Sequence, residues 1–467
     1  MKKATPKNGR SAQELGGITR ISVAGYKSIA KEQSIEIRPL TILAGANSSG
    51  KSSIMQPLLL LKQTLESSYD PGPLLLNGPH VNFTSVEQIL AQLTDRKSSA
   101  NLKIGIETGR GSFVAVYRKQ RTKGLGVSEV TYLSEGEKIS LSQGMSKDEI
   151  LDAFPKAYSK ALKQSLSSSD TSGSGRLVVE RDRCFLILGI RGKLNIQGLT
   201  HFETSEDAVV KSVWFSPWFS GDVQAVVTTT LRQVIHLPGL RGNPERTYPL
   251  TAVGETFLGT FENYTASVVA KWQTEKEYNK LDTLSRNLET LGLTWKVIAK
   301  PLNDTQVEIQ VGRLARAGKA GLKDFVSLAD VGVGVSQTLP VLVALQVAQP
   351  GQLVYLEQPE IHLHPRAQTA MAQVLADAAM RGVRVVAETH SSLLLLGIQT
   401  LVAEGKLPSD LVKLHWFTRG DDGATTIRSA DLDETGAFGD WPEDFADVEL
   451  AAESRYLDAA EARQQVH

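Results

Sequence analysis

Apolar and polar positions alternate along residues 18–23 and again along 34–37, with Tyr26-Lys27-Ser28 turning between them, which predicts two short half-buried strands. Residues 40–44, Leu-Thr-Ile-Leu-Ala, form a short apolar strand that runs straight into Gly45-Ala46-Asn47-Ser48-Ser49-Gly50-Lys51-Ser52. A helix is predicted from 53 to about 65, with leucine at each of positions 58–61. Short strands are predicted over 102–107, 112–117, 177–180 and 184–188, and the Ser/Gly/Asp run 165–175 reads as a surface loop. Between 255 and 292 the period lengthens. Phe257, Phe261, Tyr264, Val268, Trp272, Tyr278, Leu281, Leu284, Leu288 and Leu291 recur at helical spacing, predicting a helical lobe too short for a long coiled-coil arm. A Gly/Ala/Lys-rich link follows Leu314. Two more apolar strands come next: 353–356, ending in Glu357-Gln358-Pro359-Glu360, and 383–387, ending in Glu388-Thr389-His390-Ser391. Buried strands that end in polar residues are how α/β sheets build nucleotide sites at their carboxyl edge.

The chain has 467 residues, far more than one small core needs, so two or more lobes are expected. Its 51 basic and 51 acidic residues cancel. Global charge therefore gives no steering toward nucleic acid, and only a local basic face would. The single cysteine, Cys184, cannot form an intrachain disulfide and reads as belonging to a reducing, cytoplasmic protein. Residues 1–17 are polar and basic with no apolar run, an arm expected to be disordered rather than a secretory signal. The longest apolar stretches, such as 339–347, are too short to span a bilayer, so no membrane role is expected.

Gly45 to Ser52 satisfies G-x-x-x-x-G-K-[ST] at every fixed position, between an apolar strand and a helix as the mechanism requires. The glycines let the backbone wrap around phosphates, and the helix start adds its positive dipole end. The candidate nucleotide-binding residues are Gly45, Asn47, Ser48, Ser49, Gly50, Lys51, Ser52 and Ser53. Lys51 would reach the β- and γ-phosphates of ATP, and Ser52 would ligate Mg²⁺.

With these motifs the sequence resembles the ABC-type ATPase heads of SMC, RecF and OLD-like proteins. It resembles more closely bacterial ATPases of the Septu-like defence type, through Glu-Gln-Pro-Glu-Ile-His-Leu-His-Pro (357–365), Glu-Thr-His-Ser (388–391) and a tail containing Trp441-Pro442 and Phe445. The likeness covers about 18–95 and 235–450. It implies an α/β P-loop NTPase: an ABC-ATPase head with a strand-rich N-terminal lobe (18–250), an inserted helical lobe (251–315), a C-terminal lobe (316–430) and a tail (431–467). Glu357 falls at the Walker B acid, a Mg²⁺ ligand with Ser52. Gln358 falls where such ATPases carry the catalytic Glu, Leu363 and His364 at the D-loop, and His390 at the γ-phosphate-sensing switch histidine. The stretch 330–337 stands where the ABC signature belongs, with Gly334, Ser336 and Gln337 reaching the nucleotide of a partner subunit. The resemblance thus implies a homodimer, or higher homo-oligomer, closed around ATP.

Two departures matter. Gln358 cannot act as a general base, which implies slow hydrolysis and leaves Glu360 and His390 as the other candidates. In the signature, Gly334 stands where Ser is expected, with Ser336 as the substitute. Gln63 and Gln88 are candidates for a Q-loop glutamine, though each reads better as an ordinary surface residue. His362 and His364 could face one side as metal ligands, but two histidines without a third donor make thin support for zinc. Trp214 and Trp218 suit packing better than base stacking. Arg241 and Arg246 suit phosphate or partner contact as well as a structural salt bridge. No acidic nuclease pattern follows His390. The leading expectation is therefore an ATPase that regulates a nuclease or toxin partner in anti-phage defence. The alternatives are a DNA repair or recombination ATPase that binds DNA through its closed heads and, less favoured, a transporter subunit.

Overall fold

The computed structural model describes residues 16–92, 99, 101–120, 124–156, 159–160, 176–191, 209–211, 220–316, 324–439 and 455. The basic arm before Gly16, the serine-rich run 165–175, Trp214 and Trp218, the link 317–323 and the tail residues Trp441, Pro442 and Phe445 lie outside the described residues.

Five parallel strands form the centre, in the order Ile235–Leu237, Leu353–Glu357, Arg384–Thr389, Leu40–Gly45 and Val412–Arg419, with Thr425–Ala430 antiparallel at the edge. Side chains alternate across such a sheet, and both faces here are covered. Leu40, Ile42, Ala44, Val354, Leu356, Val385 and Ala387 enter one core; Leu43, Leu353, Tyr355 and Val386 enter the other. That two-sided burial is why these strands read as continuous apolar runs.

The first core is closed by helices Thr265–Thr274, Tyr278–Thr290, Val333–Val347, Pro365–Met380 and Ser392–Ala403, through residues such as Trp272, Leu288, Leu342, Leu375 and Ile398. The second lies between helix Lys51–Glu66 and a six-stranded antiparallel sheet. That sheet runs Gln33–Glu36, Ile18–Ala24, Asn101–Thr108, Gly111–Gln120, Gly124–Ser134, Glu137–Ser142. Ile54, Leu58 and Leu61 of the helix share the core with Ile21, Ile104, Phe113 and Tyr117. Helix Ser220–Gln233 adds Val223, Val227 and Leu231 to it. Smaller sheets are made by Arg176–Asp182, Phe185–Arg191 and Val209–Lys211, and by Tyr248–Pro249, Val297–Asn303, Gln306–Gly312 and Phe325–Ser327.

The chain therefore has the α/β P-loop NTPase fold; the expected strands are present, most of them longer, and Gly124–Ser134, Glu137–Ser142, Val412–Arg419 and Thr425–Ala430 are among the further strands that the sequence reading did not include. The helical lobe over 255–292 resolves into a 3₁₀ turn, Phe261–Tyr264, and two helices broken at Lys276, whose φ is 57°. The hairpin Val297–Asn303 with Gln306–Gly312 lies outside the expected strands: its second strand alternates, burying Val307, Ile309 and Val311, but its first does not sustain the pattern. Only Val297 and Ala299 of its first strand are buried, so its alternation fades after three residues. Among the described residues, no helix is long and apolar enough to cross a membrane.

Candidate nucleotide site

The phosphate loop lies between the end of strand Leu40–Gly45 and the start of helix Lys51–Glu66. Gly45 has φ 144°, and a Cβ there would collide with the Phe417 carbonyl oxygen. Gly50 caps the helix at φ 100°, and a Cβ there would collide with the Thr425 hydroxyl. The Thr425 hydroxyl donates to the Ser49 carbonyl at 2.7 Å, pinning the loop from the edge strand two places away in the sheet. The loop borders a cleft of about 690 Å³ lined by Asn47, Ser48, Gly50 to Ser53, Gln358, Glu388 and His390, and also by Lys27, Gln56, Gln88, Leu90 and Arg419.

Lys51 folds back and donates to the carbonyls of Gly45 at 2.9 Å and Ala46 at 2.8 Å. Its Nζ is 3.4 Å from Nδ1 of His390. Burial pushes the Lys51 ammonium down to about 8, with Glu388 and Glu360 pulling it back up. Burial, and then the Lys51 charge, lowers His390 from its ordinary value, which keeps a neutral imidazole beside the ammonium at pH 7.

Two carboxylates stand side by side, because Glu357 and Glu388 are register partners on adjacent parallel strands. Glu388 lies on the strand next to the phosphate loop and Glu357 one strand further away. Accordingly the Ser52 hydroxyl donates to Glu388 Oε2 at 2.9 Å, not to Glu357. The Tyr355 hydroxyl donates to the other Glu388 oxygen. Burial raises Glu388 to about 7, and the neighbouring Glu357 adds to this; Tyr355, Ser52 and Lys51 oppose it. Glu357 accepts from His236 Nε2 at 3.2 Å and from the Gly239 amide at 3.1 Å. Burial pushes Glu357 up, but His236, the Gly239 amide and Arg241 outweigh it and hold the carboxyl below its usual range. Ser52 thus meets Glu388 directly and not Glu357, for a reason of strand order that no motif spacing records.

The other expected residues divide. Gln358 reaches the cleft, held at φ 47° by its amide donating to the Glu388 carbonyl at 2.9 Å. Glu360 is buried and does not line the cleft: one oxygen accepts from the Thr389 hydroxyl and from the His390 amide at 3.2 Å, so it shapes the switch turn. Burial raises its pKa. Ser49 is buried beneath the loop. Gly334, Ser336 and Gln337 do not line this cleft. Helix Val333–Val347 begins at Val333, which places Ser336 and Gln337 inside its first turns. The Ser336 hydroxyl donates to the Val333 carbonyl at 3.0 Å, and the Gln337 amide donates to the carbonyls of Arg241 at 3.0 Å and Gly242 at 3.1 Å. The Gln337 side chain is therefore engaged within the fold rather than free to reach a nucleotide.

Gln63 is buried, not superficial, and donates to the Val81 carbonyl at 3.2 Å; Gln88 does border the cleft. Arg241 donates to the carbonyls of Gln337 and Glu357, each at 3.0 Å, while Arg246 pairs with Asp330 at 2.8 Å. His362 and His364 are exposed, and His364 caps helix Pro365–Met380. Among the described residues, no group of three or more His, Cys, Asp or Glu side chains is placed to hold a metal. Sequence reasoning missed His236, Tyr355 and Arg419, which meet the site through the sheet order, and Gln56, which borders the cleft from the helix that continues the phosphate loop.

The donors fit the groups the motif implies. The two crowded glycines leave a cradle that a phosphate fills, and the oxygen donors Ser52 and Glu388 suit a hard cation such as Mg²⁺.

Two family models match the chain. One, described as "AAA ATPase domain", covers residues 17–171. The other, described as "AAA domain, putative AbiEii toxin, Type IV TA system", covers 255–396. No curated protein matches. Solved structures similar to the chain include an Smc head bound to the C-winged helix domain of ScpA, at 13% identity, covering 90% of this chain and 98% of that one with a TM-score of 0.43. The SMC head domain from Thermotoga maritima matches at 10% identity over 89% of this chain and 100% of that one, TM-score 0.38. The Pyrococcus furiosus Smc head domain bound to the C-terminal domain of ScpA matches at 11% identity over 89% and 97%, TM-score 0.45. In its two matched regions the chain is similar to AAA-type ATPase domains.

Proposed function

We propose that the chain binds ATP with Mg²⁺, hydrolyses it slowly, and uses nucleotide-dependent closure of a homodimer to regulate a nuclease or toxin partner in anti-phage defence. The observation that carries the nucleotide part is the convergence of Lys51, Ser52, Glu388, Gln358 and His390 on one cleft at the carboxyl edge of a parallel sheet. The loop amides and Lys51 would hold the phosphates, Ser52 and a carboxylate the cation, and the cleft residues Lys27 and Leu90 the nucleoside. A bound cation neutralises phosphate charge. The Lys51 ammonium would exchange the carbonyls of Gly45 and Ala46 for phosphate oxygens. Gln358 can orient a water through its amide but cannot take its proton, which supports slow turnover. The match of 255–396 to a family described by a toxin–antitoxin system supports the defence setting.

The test is mass photometry of the pure protein with and without Mg-ATP, alongside phosphate release, for wild type and Lys51→Ala. ATP-driven assembly with little phosphate release, both lost in Lys51→Ala, is the expected result. Identical behaviour of the two proteins sinks the proposal. Metal-dependent DNA cleavage by the pure chain would remove the need for a nuclease partner.

A further inference from the structure

We infer that Glu388, not Glu357, supplies the carboxylate that holds a divalent cation beside Ser52, and that His236 is the residue that keeps Glu357 engaged elsewhere. The inference rests on the reading of the cleft as a Mg-nucleotide site.

Position comes first. The strand bearing Glu388 lies directly against the phosphate-loop strand, and that of Glu357 lies one strand beyond. Neighbouring strands are about 4.8 Å apart, so Glu357 starts a full strand spacing further from Ser52. Glu388 borders the cleft and has Oε2 2.9 Å from Ser52 Oγ. A Mg²⁺ ion sits about 2.1 Å from its oxygen ligands, so a cation on Ser52 is within direct or one-water reach of that carboxylate oxygen. The Tyr355 hydroxyl holds the opposite oxygen and fixes which one faces Ser52.

Engagement comes second. Both oxygens of Glu357 accept hydrogen bonds, one from His236 Nε2 and the other from the Gly239 amide, which aim the carboxylate to that side, and Glu357 is not among the residues that border the cleft. His236 is not free to swing and release it. Its ring stacks on Tyr355 at 5.3 Å and 11°, and its Nδ1 is 3.0 Å from Nδ1 of His80. His80 in turn meets Glu66 at 3.1 Å, and Glu66 pairs with Lys62 at 2.6 Å. Lys62 and Glu66 belong to the far end of the helix that begins at the phosphate loop. The side chains of His236, His80, Lys62 and Glu66 are all buried, so losing the His236–Glu357 or the His80–Glu66 contact would leave a desolvated polar group without its partner. The chain Lys62–Glu66–His80–His236 thus braces Glu357 from behind, while Glu388 alone has an oxygen presented to Ser52.

The test measures affinity for a non-hydrolysable fluorescent ATP analogue in Mg²⁺ and in EDTA, so it does not depend on turnover. In wild type and Glu357→Gln, Mg²⁺ should tighten the analogue by roughly tenfold or more; in Glu388→Gln that gain should vanish with the EDTA affinity unchanged. Electron paramagnetic resonance of Mn²⁺ with the analogue should report bound metal in the first two proteins and a loss of it in the third. If Glu388→Gln does not fold by circular dichroism, Glu388→Asp replaces it. That variant keeps the charge, withdraws the carboxylate by one methylene, and should lose most of the Mg²⁺ gain. A gain retained in the Glu388 variant and lost in Glu357→Gln overturns the assignment. Equal analogue binding by wild type and Lys51→Ala, or none by either, instead overturns the nucleotide reading and this inference with it.

Discussion

Gly50 carries two demands at once. Its φ of 100° is one that side chains rarely adopt, and the space where a Cβ would stand is taken by Thr425 and Ser28. Backbone strain of this kind costs about 1–3 kcal/mol per residue. In Gly50→Ala the loop must also move off Thr425, so analogue affinity should fall more than tenfold while the melting temperature drops only modestly; an unchanged affinity would mean the loop is not the phosphate cradle. A second residue-scale effect concerns His415, a fully buried side chain whose ring nitrogens meet the Ser429 hydroxyl and the Glu36 carbonyl, each at 2.8 Å. Burial pushes it down to about 4. A histidine with a folded value below its unfolded one stabilises the fold fully above about 6.5, and that contribution is lost as pH falls toward 4. The loss amounts to at most about 3 kcal/mol. Chemical denaturation at pH 7.5 and pH 5 should show wild type losing stability over that interval, and His415→Gln losing distinctly less.

Elements differ in how plainly the sequence announces them. The phosphate loop is legible because its chemistry fixes both residue types and spacing, and the strands behind it because burial on both faces leaves unbroken apolar runs such as Leu353 to Leu356. The pairing of Ser52 with Glu388 is not legible, since it follows from which strand lies next to which, and 336 residues separate the two partners. The same holds for Arg241, whose segment reads equally as phosphate-binding or structural. In the fold it joins two elements, donating to Gln337 on helix Val333–Val347 and to Glu357 at the end of its strand, while Gln337 donates back to the Arg241 carbonyl. Burial brings Arg241 down to about 10, so it remains charged at neutral pH. Arg241→Ala removes a buried charge-assisted pair of hydrogen bonds and strands two carbonyls, with an expected cost of about 2–4 kcal/mol. Arg246→Ala, which removes an exposed ion pair with Asp330, should leave the denaturation midpoint nearly unchanged. Equal effects of the two substitutions would show that the Arg241 clasp does not join the elements energetically.

For the whole molecule, the surface that a second copy would use can be tested without disturbing the cleft. Helix Val333–Val347 starts with Gly332 at its N-cap and no side-chain cap, and Val333 is 48% exposed. If the proposed dimer forms, this end faces the γ-phosphate bound by the partner. A helix N-terminus favours negative charge by about 0.3–1 kcal/mol, so Val333→Glu should leave the isolated chain as stable as before or slightly more so. The same carboxylate would stand against a phosphate in the closed dimer and repel it. The expected outcome is a variant with an unchanged or raised melting temperature and unchanged affinity for the ATP analogue, yet with no ATP-driven mass increase. Because folding, nucleotide binding and assembly are read separately, assembly that persists at wild-type nucleotide concentrations would remove this helix end from the interface and leave the cleft itself untouched.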